Sequence, residues 1–125
     1  MGKHKTKDSR LIEAALSYKA KELCNFLTLC QEVGLGGPDF EYRFCARKWA
    51  FDFAWPEHLV ALEVEGGIWS GGRHIRPKSF LADMDKYNAA AALGWRVIRM
   101  DSERWSSPET VHLLKTAAYA FAPII

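Results

Sequence analysis

Three carboxylates interrupt a short apolar stretch: Asp52 in "WAFDFAW", then Glu63 and Glu65 in "HLVALEVE". Both segments alternate like strands, which put every second side chain on the same face. On the first, Trp49, Phe51, Phe53 and Trp55 are expected on one face and Ala50, Asp52 and Ala54 on the other. On the second, Val60, Leu62 and Val64 oppose Ala61, Glu63 and Glu65. A turn about Glu57 and His58 then sets Asp52 directly opposite Glu63. Like charges facing each other destabilise a sheet, and burying them adds a desolvation cost. A hard divalent cation removes the conflict, because Mg²⁺ is held by one or two carboxylates together with water and substrate phosphate. The competing reading is ordinary: acids on an exposed face, or paired with Arg43, Arg96 or Arg99. Ala50, Ala54 and Ala61 favour the cation, since they leave room beside the carboxylates.

The elements that must position these acids follow from composition and periodicity. A chain of 125 residues, 49% hydrophobic and 13% aromatic, builds one core and is short for two domains. The net charge of +2 neither requires nor excludes a polyanionic partner. Cys24, Cys30 and Cys45 are odd in number and lack a CxxC spacing, as expected of reduced thiols in a cytoplasmic protein. No apolar run approaches the roughly 18 residues of a membrane span. The opening "MGKHKT" fits the permissive N-myristoylation pattern through Gly2 and Thr6, but residues 1–8 read better as a flexible basic tail.

From Ser9, the spacing of Leu16, Leu23, Phe26, Leu27, Cys30 and Val33 predicts an amphipathic helix, whole or in two pieces, ending near Gly34 to Pro38. Strands are expected over 40–45, 49–55 and 58–65, and an irregular loop over 66–79. A second helix should start near Ser79, with Phe80, Met84, Tyr87 and Ala91 on one face and Gly94 as its stop. "WRVIRM" is a further strand, and Ser107 before Pro108 caps a last helix. The order α, three strands, α, strand, α implies a single α/β domain over 9–125. Its mixed central sheet is built on a β-hairpin and flanked by helices.

"FDFAWPEHLVALEVEGGIWSGGRH", followed by "FLADMDKYNAAAALGWRVIRM", resembles the PD-(D/E)XK nuclease superfamily. The likeness is chiefly to its compact branch related to very-short-patch repair endonucleases and to similar small phage and bacterial proteins. The matching elements are Asp52, the run Glu63 to Gly66, His74, Asp83 with Lys86, and Gly94 with Trp95; the likeness spans roughly Glu41 to Met100. It implies a restriction-endonuclease-like fold and a metal-dependent DNA endonuclease, cytoplasmic and of bacterial or phage origin, acting in nicking, repair or branched-DNA cleavage. One element departs from the pattern. The usual lysine two residues after the acid is replaced by Glu65.

The resemblance assigns roles residue by residue. Asp52 and Glu63, with the Val64 carbonyl, would hold Mg²⁺, and Mn²⁺ should substitute. Glu65 is a third carboxylate that could handle the water or admit a second ion at ~3.5–4 Å. Lys86 or His74 would supply the missing positive charge; Lys86 is also three residues from Asp83, a spacing of ordinary surface pairs. His74 can act as general acid or base, or bind the attacked phosphate. Related nucleases often bring a glutamate from the first helix, here Glu22 in preference to Glu13. Arg73, Arg76 and Lys78, extended by Arg47 and Lys48, would bind DNA phosphates. The alternative function is a DNA-binding or structural protein that keeps the fold without turnover. Neither the DNA structure recognised nor the oligomeric state has a sequence signature.

Overall fold

A computed structural model describes residues 6–66 and 77–120 of the chain. Among them are four helices and a mixed four-stranded sheet. Helix α1 (Lys7–Ser17) starts two residues before the expected Ser9, because the Thr6 side chain caps it by accepting from the Ser9 N–H at 3.0 Å. Tyr18 is extended and separates it from α2 (Ala20–Glu32). The second helix stops where Gly34 enters the left-handed region at φ 82° and the Leu35 and Gly36 N–H groups return to the Cys30 carbonyl.

Strands β1 (Asp39–Arg43), β2 (Ala50–Trp55) and β3 (Val60–Glu65) run antiparallel in sequence, and β4 (Arg96–Asp101) lies parallel to β3, giving the order β1-β2-β3-β4. A single 3₁₀ turn, Pro56–His58, joins β2 to β3. The parallel pair requires a crossover, which α3 (Pro77–Ala92) supplies. Helix α4 (Pro108–Tyr119) is capped by Ser107, as expected.

The sheet is covered on both faces. On one, Leu23, Phe26 and Cys30 of α2 and Val111 and Leu114 of α4 meet Phe53, Trp55, Val60 and Leu62. Phe53 is the centre, with its ring 5.3–5.6 Å from those of Tyr18, Phe26, Phe40 and Trp105. On the other face, Phe51, Ala54, Ala61 and Trp95 pack with Ala90 of α3.

Three expectations are corrected here. Phe51 and Phe53 do not share a face, and across from them Tyr42 and Phe40 are divided in the same way. Both strands change sides between these residues, at Glu41, whose φ of 47° is left-handed, and at Asp52; the β1–β2 register passes over this pair. Leu16 is 83% exposed rather than part of the α1–α2 apolar face. On α3, Phe80, Met84 and Ala91 are exposed, and Ala90 is the buried contact.

Phe53→Ala should cost ~3–5 kcal/mol of stability, the cost of emptying a well-packed aromatic site. Phe80→Ala, at a side chain 54% exposed, should change it by less than ~0.5 kcal/mol. Urea unfolding of both variants checks the pair of values.

Candidate active site

The β2–β3 ladder pairs Trp55 with Val60, Ala54 with Ala61 and Phe53 with Leu62, and then ends. This register places Asp52 across from Glu63, as expected, at the point where the strands part. Backbone N–H groups that lose ladder partners need other acceptors. The two carboxylates provide them reciprocally. Glu63 Oε1 accepts from the Asp52 N–H at 2.8 Å, and Asp52 Oδ2 accepts from the Val64 N–H at 2.8 Å. Asp52 therefore lies in the gap between strands, where it also lines a cavity of about 80 Å³ with Tyr18, Phe40 and Glu41.

Glu63 points to α3. Its Oε2 accepts from Lys86 Nζ at 2.7 Å and from the Tyr87 hydroxyl at 3.0 Å. The ion pair is nearly dry, with side-chain exposures of 13% for Lys86 and 11% for Glu63. The ammonium also lies 5.6 Å from the Phe51 ring and 5.3 Å from the Tyr87 ring, close enough for cation–π attraction. Lys86, the neighbour of Asp83 in the sequence reading, is thus turned inward to the acid pair.

Glu65 does not join them. It shares the α3-facing side of β3 with Glu63 and accepts a hydrogen bond from Arg99 Nε. This corrects the expectation of three converging carboxylates: two stand at the fork, and the third is paired by a cation on β4. Arg99 in turn lies 4.3 Å from the centre of the Tyr87 ring. Among the described residues, no group of three His, Cys, Asp or Glu side chains is gathered to hold a metal.

Burial first, and the Glu63 charge second, push the Asp52 carboxyl up to about 6, while the Val64 N–H and Lys86 pull it down. Burial, reinforced by Asp52, Glu63 and Glu41, raises the Tyr18 phenol above its ordinary range. Tyr87 is raised by burial and by Glu63, so it remains a hydrogen-bond donor at neutral pH.

Other expected residues are distributed around this centre. Glu22 accepts from the Ser106 hydroxyl at 2.8 Å and lines a cavity of about 380 Å³ with Val64 and Gly66, beside the fork rather than in it. Arg47 and Lys48 are exposed in the segment before β2, at the sheet end where β2 and β3 part. Arg47 is steadied by the Trp49 ring at 4.4 Å, and its carbonyl accepts from Arg43. Arg73, His74 and Arg76 lie outside the described residues, and Lys78 lies on α3 with its side chain outside them. The sequence reading missed Tyr87 and Tyr18. Tyr87 had a signal, because a half-buried phenol beside Lys86 needs an acceptor.

The fork presents hard oxygen donors, those of two carboxylates. Glu63 opposes the charge of Asp52, and among the described residues Glu63 Oε1 accepts from the Asp52 N–H.

Without divalent cations, the raised Asp52 carboxyl makes the native state bind an extra proton between about pH 4 and its own value of about 6. That stabilisation is present below the unfolded value and lost as the pH rises through the folded one. Asp52→Asn keeps an acceptor for Val64 and removes the charge. It should therefore raise stability by ~1–2 kcal/mol at pH 7.5 and much less at pH 4, checked by urea unfolding in a chelator. No protein-family model, curated protein or solved structure matches this chain, so its own residues carry the functional reading.

Proposed function

We propose that the chain is a metal-dependent DNA endonuclease with a restriction-endonuclease-like fold of the PD-(D/E)XK type. The observation that carries this reading is the fork: two carboxylates meet where a hairpin opens, with a nearly dry lysine held on one of them. Asp52, Glu63 and the Val64 carbonyl would hold Mg²⁺ or Mn²⁺. When bound, the cation supplies a water of lowered pKa and polarises a phosphoryl oxygen.

The chain's own groups account for the remaining work. Water gives up a proton and attacks phosphorus as the bond to O3′ breaks, leaving a 5′ phosphate and a 3′ oxygen that gains a proton to become the hydroxyl. Lys86 takes the role of the absent motif lysine. Its ammonium, fixed by Glu63 and two rings, presents positive charge where a non-bridging oxygen or the incoming water must be oriented. His74 exchanges protons near neutrality and is the residue assigned to the leaving oxygen. Arg47 and Lys48, with Arg73, Arg76 and Lys78, neutralise backbone phosphates.

A second reading has one observation in its favour. The same carboxylates satisfy backbone N–H groups, which a DNA-binding protein without turnover would also need. Labelled linear, nicked, branched and single-stranded DNAs, incubated with Mg²⁺ or with chelator, separate the two. Cleavage only with Mg²⁺, lost in Asp52→Asn and Glu63→Gln, is expected; binding without cleavage on every DNA would leave the second reading.

The basic residues before α3 give an independent test. Arg73→Ala or Arg76→Ala should weaken DNA binding and reduce its salt dependence by a slope of roughly one per lost phosphate contact. His74→Ala should slow single-turnover cleavage by about 10²–10⁴-fold with affinity preserved.

A further inference from the structure

Resting on the nuclease reading above for DNA as the partner, we infer that the turn between β1 and β2 is a stacking platform for an unpaired base, which lies on the Arg47 guanidinium backed by Trp49. Residues 42–49, "YRFCARKW", contain three cations and no acid, so the turn offers positive charge that nothing in the run neutralises. Arg43 donates to the Ala46 and Arg47 carbonyls at 3.4 and 3.1 Å and closes the turn on itself. Arg47 and Lys48 remain at its surface.

Beneath them the aromatic rings form a continuous stack. Phe51, fully buried, lies 4.4 Å from Phe44 with the ring planes 8° apart. Trp49 follows Phe44 at 6.3 Å and 14°, and the Arg47 guanidinium carbon lies 4.4 Å from the centre of the Trp49 ring. A guanidinium placed over an indole is a charged plane ordered before any ligand arrives, which lowers the entropic cost of binding on it. Nucleobases stack on such planes as they do on aromatic rings. Bases inside a duplex are covered on both faces by their neighbours, so only one splayed from the stack can use the platform. Lys48 is left for the adjoining phosphate. Trp49 precedes Asp52 by three residues, ~10 Å of extended chain, at the sheet end where β2 and β3 part. The substrate class is therefore DNA with an unpaired base near the cut, such as a fork, flap or mismatch, in preference to plain duplex.

The test is fluorescence anisotropy of the full chain in chelator, with labelled forked DNAs whose unpaired arm carries an abasic spacer at each position in turn. At one position the spacer should weaken wild-type binding by about 5–150-fold, the range for one stacked base. Arg47→Lys keeps the charge and loses the plane, so it should bring that ratio toward one. Trp49→Ala should do the same with its circular dichroism unchanged, and Arg47→Lys, at an exposed side chain, decides the matter if Trp49→Ala does not fold. Equal binding of base and spacer along the whole arm, or a ratio that survives in Arg47→Lys, would overturn the inference and leave the nuclease reading intact, since no metal enters the measurement. Spacer-sensitive binding without Mg²⁺-dependent cleavage of the same forks would overturn the nuclease reading and leave the platform. Wild type that binds none of the DNAs would overturn both.

Discussion

Every feature of the candidate site depends on the end of one hydrogen-bond ladder. Below Phe53 and Leu62 the backbones of β2 and β3 stop pairing, and two side-chain carboxylates take over as acceptors. A backbone N–H left without an acceptor away from water costs about as much as a lost hydrogen bond. The acids are therefore fixed in place by the peptide groups they satisfy. The same exchange that spares the backbone concentrates negative charge, and the surrounding structure must compensate for it.

Compensation comes unequally from the two faces. On the α3 side, Lys86 neutralises Glu63, and Arg99 neutralises Glu65. On the α1 side, Asp52 meets Tyr18, whose phenol carries no charge, and its carboxyl remains elevated at about 6. A nearly dry ion pair such as Lys86 with Glu63 is weak evidence for stability, because desolvation offsets most of its attraction. The less compensated charge at the fork is that of Asp52.

Much of this was legible in the sequence, for identifiable reasons. Strand alternation and the short Glu57–His58 turn determine the hairpin register, so the pairing of position 52 with 63 follows from counting. Ser107 and Gly34 announce helix ends through cap chemistry. The change of faces between Phe51 and Phe53 was not legible. It depends on a left-handed backbone at Glu41, a residue type that gives no sign of it. The α3 face was also misread. Apolar spacing pointed to Phe80, Met84, Tyr87 and Ala91, and of these the helix turns only Tyr87, together with Lys86 and Ala90, to the sheet. Polar partners, which periodicity does not count, determined that rotation. Glu65 was ambiguous from the start, because its alternatives, metal ligand or partner of Arg99, have the same pattern.

The uneven attachment of the helices bears on how the molecule opens. Helix α2 buries three side chains in the larger core and α4 two, while α3 fully buries only Ala90 among its described residues. Segments with few buried contacts separate at lower free energy than the whole molecule unfolds. The β1–β2–β3 meander is local in sequence, whereas the β3–β4 pairing must wait for a long crossover, a class of contact that forms late. Lys86 and Tyr87 thus ride on a helix with a smaller buried anchor than α2 or α4. A partial opening there would uncover Glu63 while the aromatic core beneath it stays closed, so amide exchange along α3 reports how often the acid pair loses its counter-charge.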